Sequence, residues 1–72
     1  MQTNNLGLIE KKVLGALIVI MDENNIAKAT LKDIASIMGY KDSGGAMSFA
    51  LKVLERDNFL VRQDQSLYKI LI

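Results

Sequence analysis

Seventy-two residues, half of them hydrophobic, carry nine basic and eight acidic side chains and neither cysteine nor histidine. The missing cysteines exclude disulfides, thiolate metal sites and a cysteine nucleophile. The missing histidines remove the usual general base, metal ligand and neutral-pH switch.

The length sets a single domain over residues 1–72. A chain this short buries only about 60% of the surface its unfolded form exposes. Its high apolar content favours a folded state and leaves apolar surface for a partner. A net charge of +1 is low for a dedicated nucleic-acid binder, so DNA affinity has to come from local placement of cations or from dimerisation. Met1-Gln2-Thr3-Asn4-Asn5 lacks a basic n-region, so no signal peptide and a cytoplasmic location are expected. The longest aliphatic run, 13–21, covers nine residues including Gly15, against the roughly 20 that a membrane span needs.

Residues 1–6 form a polar start expected to fray. A helical pattern runs over 8–21, with Gly7 as N-cap and Glu10 reaching back; Asn5 and Thr3 are competing caps. It ends at the turn formers Asp22-Glu23-Asn24-Asn25. Residues 26–29 make a short connector and a candidate third strand. Thr30 then caps a second helix, Asp33 completes a capping box, and Ile34, Ala35 and Met38 mark the inner face. Gly39 takes the left-handed position after the helix.

Lys41-Asp42-Ser43 make the next turn, and Asp42 or Ser43 caps a third helix that runs to about Asp57. Gly44 and Gly45 in its first turn are poor helix formers. Asn58 tolerates the left-handed conformation that closes it. From Phe59 onward the period changes to two, and the polar tip Gln63-Asp64-Gln65-Ser66 separates two alternating runs, a β-hairpin. The expected fold class is mainly α with a small β-hairpin. Three helices, a two-stranded wing and the 26–29 stub follow the order of a winged helix-turn-helix.

Thr30, Asp33, Ile34-Ala35 and Met38-Gly39-Tyr40, followed by Lys41, Ser43 and Leu51-Lys52-Val53-Leu54, give the chain over 8–72 a family likeness. In these positions it resembles the N-terminal DNA-binding domain of LexA-type repressors. The resemblance implies a winged-helix fold, binding to double-stranded DNA and a recognition helix at about 43–57. It does not reach the self-cleaving serine–lysine domain of those repressors, so self-cleavage is not implied. One extra residue lies between Gly39 and the Leu-Lys-x-Leu stretch, and Gly44, Gly45, Met47 and Ser48 replace the family's asparagine and acids. The family's operator therefore does not carry over. The wing tip carries Asp64 and no cation, a poor match for phosphate.

Successive helical residues turn by about 100°, which sorts the third helix into faces. Met47, Ala50, Leu51 and Leu54 should face the core; Gly45, Ser48, Phe49, Lys52 and Arg56 should point away. Ser43, Gly44, Gly45 and Ser48 are candidates for base edges, and Lys32, Lys41, Lys52 and Arg56 for phosphates, with Arg62 on the wing. Thr30 is first a structural cap and second a phosphate contact. The plain alternatives are a solvated face for Lys52, Arg56 and Arg62, and a loose turn for the two glycines.

Two features sit poorly with this layout. Phe49 lies opposite the core stripe, and three placements compete in order: tilting into the core beside Val53, a protein interface, or a thymine methyl in the groove. The first helix is apolar almost all round, and a helix of that kind must be covered all round. Either the C-terminal strand and third helix cover it, or Val13, Leu17 and Ile20, with Phe49, form a protein interface, most simply with a second copy.

The expectation is a small sequence-specific DNA-binding regulator, homodimeric, without cofactor, metal or membrane role. The alternative is a protein-binding winged-helix module of the inhibitor or co-regulator kind that does not depend on DNA. No nucleophile–base pair, phosphate loop or metal cluster is present in the sequence, so no enzyme is expected.

Overall fold

Local chemistry fixes most of the element boundaries. The computed structural model describes residues 6–41 and 44–71. The competing caps Thr3 and Asn5, the expected cap at Asp42 or Ser43, and the candidate base contact Ser43 lie outside the described residues. Leu6 is buried in the core, so the fraying expected over 1–6 does not extend to it.

Helix α1 (Leu8–Ile20) starts where the Glu10 carboxylate accepts the Gly7 N–H at 3.0 Å. It stops at extended Met21, one residue short of the expected end. Asp22 then organises the turn: its Oδ1 accepts the Asn24 N–H at 2.8 Å and the Ile26 N–H at 3.0 Å. Strand β1 (Ile26–Lys28) follows. The stub expected from the sequence is thus a paired strand.

Helix α2 (Leu31–Ile37) is only seven residues long and depends on its ends. The capping box is reciprocal: Thr30 Oγ1 accepts the Asp33 N–H at 3.1 Å, and Asp33 Oδ2 accepts the Thr30 N–H at 3.0 Å. Gly39, at φ +85°, turns the chain. Its N–H donates to the Ser36 carbonyl and the Tyr40 N–H to the Ala35 carbonyl, a Schellman closure. Thr30→Ala is expected to cost about 1 kcal/mol, read as a lower urea midpoint at unchanged slope.

Helix α3 (Gly44–Arg56) buries Met47, Ala50, Leu51, Val53 and Leu54. Asn58, at φ +65°, closes it as expected, with the Phe59 N–H donating to the Leu54 carbonyl at 2.9 Å. The hairpin follows as β2 (Leu60–Asp64) and β3 (Leu67–Ile70). Its tip is tighter than the polar run implies. Asp64 still pairs with Leu67 across a register irregularity after Arg62, and its Oδ1 accepts the Gln65 N–H at 2.8 Å.

The sheet is antiparallel in the order β1-β3-β2. Ala27, Leu60, Tyr68 and Ile70 turn inward from it and meet Val13, Leu17, Ile34, Met47 and Leu54 from the helices. The result is a small α/β domain of three helices and a three-stranded antiparallel sheet. Among the described residues no helix is long and apolar enough to cross a membrane.

This packing corrects two expectations. Val13 and Leu17 are wholly buried and Ile20 half-buried against the core, so they do not form a free interface. Helix α1 packs against α3, α2 and β1, which cover those side chains. Phe49 does not tilt inward either: it is 63% exposed, although its neighbour Val53 is buried.

Candidate nucleic-acid interface

Three elements meet at one groove. The start of α2 supplies Thr30, Leu31 and Lys32; α3 supplies Ser48 and Leu51; the hairpin supplies Arg62, Gln65, Ser66 and Tyr68. The groove holds about 320 Å³. Buried Leu51 and Tyr68 give it an apolar floor, and Thr30, Ser48 and Ser66 place hydroxyls along its sides.

The lining residues include two cations, Lys32 and Arg62, and no carboxylate. The nearby Asp33 carboxylate is engaged in the Thr30 cap. Arg62 is partly preorganised, because Nη2 donates to the Gln65 carbonyl at 3.2 Å across the hairpin. That bond leaves further guanidinium donors for a ligand.

The structure therefore brings Thr30, Lys32, Ser48 and Arg62 together. Lys52 and Arg56 are exposed on the outward stripe of α3 with Gly45 and Phe49. Arg56 Nε also lies 3.3 Å from Asp57 Oδ1. A surface pair of that kind is worth about 0–1 kcal/mol and does not lock the side chain. Lys41 is exposed in the α2–α3 connection.

Gly44 adopts φ +56°, a left-handed start to α3 that a side chain would resist. Its presence thus has a backbone reason. Gly45 has none, and a Cβ placed there would meet nothing within 4 Å.

Sequence reasoning missed Gln65, Ser66 and Lys28. Lys28, on β1, lines a second depression with Asp64, Gln65, Ser66 and Leu67. Its proximity to the hairpin tip follows from the β1–β3 pairing of Lys28 with Leu67. No local motif carries that signal.

The architecture defines a small helix-and-sheet domain with a cationic groove. No family model, curated protein or solved structure matches the chain.

Proposed function

We propose that this protein is a non-enzymatic, sequence-specific DNA-binding regulator of the winged helix-turn-helix kind. In this reading α2 and α3 form the helix pair, α3 enters the major groove, and β2–β3 is the wing. One observation carries the reading: Thr30, Lys32, Ser48 and Arg62, each marked in sequence on its own element, line one groove containing two cations and no carboxylate. The outward stripe of α3 adds Lys52 and Arg56 beside it. The resemblance to LexA-type repressors in the 30–40 segment agrees with it.

Fluorescence anisotropy with a random duplex at low salt tests the reading. If about four to six phosphates are neutralised per dimer, log affinity should fall with log salt by roughly 0.9 for each phosphate. Absence of binding at tens of micromolar protein would overturn it.

A second reading, a protein-binding module that needs no DNA, is favoured by the 63% exposure of Phe49. A stoichiometric protein partner retained after nuclease treatment, and lost in Phe49→Ala, would select it.

A further inference from the structure

We infer that Phe49 packs against the C5-methyl of a thymine, so that an A·T pair is part of the DNA site; this deepens the DNA-binding reading and rests on it. Phe49 lies at the middle of α3. Gly45 stands four residues before it, and Lys52 and Arg56 stand three and seven residues after it, all on the same outward stripe. The ring is 63% exposed, and among the described residues it is the single exposed large apolar side chain of α3. It takes no part in the core cluster.

The surroundings of the ring point to its partner. A surface that docks a protein is built on a contiguous apolar patch with a polar rim, and no second large apolar side chain of α3 extends this one. The stripe continues instead into Lys52 and Arg56, and Ser48, next to Phe49, opens onto the groove that holds Lys32 and Arg62. Stripe and groove lining together carry those four cations and no carboxylate. The Asp57 carboxylate, just past the end of α3, lies 3.3 Å from Arg56 Nε. This charge complements a polyanion.

A phenyl ring forms no ordinary hydrogen bond to a base edge or a phosphate. The edges that duplex DNA presents in its major groove are donors and acceptors, with one apolar group among them, the thymine methyl. That methyl is the contact a lone aromatic can make there. Gly45, which has no backbone reason to be glycine, clears the approach: a Cβ built there would meet nothing within 4 Å. With no side chain one turn before the ring, α3 can lie close to the base edges. Ser48 brings a hydroxyl to the same side, able to bond a neighbouring base edge.

Selection of tight-binding duplexes from a random-sequence pool, then anisotropy with each thymine of the selected duplex replaced in turn by deoxyuridine, tests the inference. Deoxyuridine pairs as thymine does and lacks only the methyl. At one position the exchange should weaken wild-type binding about fourfold, the worth of one buried methyl. Phe49→Ala should bind the thymine duplex at least about fourfold more weakly and show no difference between thymine and deoxyuridine. Its urea midpoint should stay at that of wild type, because the ring is outside the core. Lys52→Ala should weaken both duplexes alike and keep the wild-type ratio, as loss of a phosphate contact does. Equal wild-type binding of thymine and deoxyuridine at every position overturns the inference and leaves DNA binding standing; a ring stacked on an unpaired base or seated on a protein would give that result. A Phe49→Ala variant that still discriminates overturns it too. A pool from which no duplex is retained overturns the DNA-binding reading itself, and the thymine contact with it.

Discussion

Lys52→Glu combined with Arg56→Glu should weaken duplex binding by at least about a hundredfold at moderate salt, since each reversal removes a phosphate contact and adds a repulsive charge. Both side chains are exposed, Arg56 to 71%, and neither contributes to the core. The one described ion pair of Arg56, with Asp57, is a surface pair. Losing it changes stability by no more than about 1 kcal/mol. Affinity should thus collapse while the urea unfolding curve barely moves. Binding that survives the double reversal would remove α3 as the groove-reading helix. Binding lost only together with folding would assign the two side chains a structural role instead.

The largest stability effect is expected at Leu54→Ala. Leu54 is fully buried, and its carbonyl accepts the Phe59 N–H that closes α3 before the hairpin. Truncating such a leucine removes its transfer free energy and leaves a cavity, a cost of about 2–5 kcal/mol. At about 0.05–0.15 kcal/mol per residue, a domain of this length has only about 4–11 kcal/mol in total. The variant should therefore lose a large share of its stability and melt well below wild type. Val61→Ala is the control: Val61 is an exposed strand residue, and its loss should fall within about 0.5 kcal/mol of wild type. Equal urea midpoints for Leu54→Ala and wild type would mean that the α3 packing described above is wrong.

Four of the helix ends were readable from the sequence because their chemistry is local. Gly7 with Glu10, Thr30 with Asp33, and the left-handed Gly39 and Asn58 all act within a few residues. The inward face of α3 was equally plain, since its polar and apolar positions differ. Helix α1 gave no such contrast. Its apolar residues run nearly all round, so periodicity could not separate wholly buried Val13 and Leu17 from exposed Leu8 and Val19. Only Lys12 and Gly15 distinguish the outer stripe.

The groove was legible in parts and not as a whole. Thr30, Lys32, Ser48 and Arg62 each stood out on their own elements. Their convergence depends on how α2, α3 and the hairpin pack, which no short window of sequence encodes. Phe49 was placed on the right face, and its exposure overturns only the first of its three candidate placements, the tilt into the core. Its 63% exposure puts an aromatic on an otherwise polar face, where helical period gives the direction of the side chain but not whether neighbouring elements cover it.

The strand order has a consequence for synthesis. Within the sheet both β1 and β2 pair with β3 alone, and β1 waits some forty residues for it, Ile26 being paired with Lys69. While the ribosome is still translating the middle of the domain, the emerging strand has no template, and no sheet can assemble on the nascent chain. The helices can pack on one another before that, but the sheet closes only once residues 67–70 are free. Until then Ile26 and Ala27 lack the strand they pair with in the finished domain, Lys69 and Tyr68.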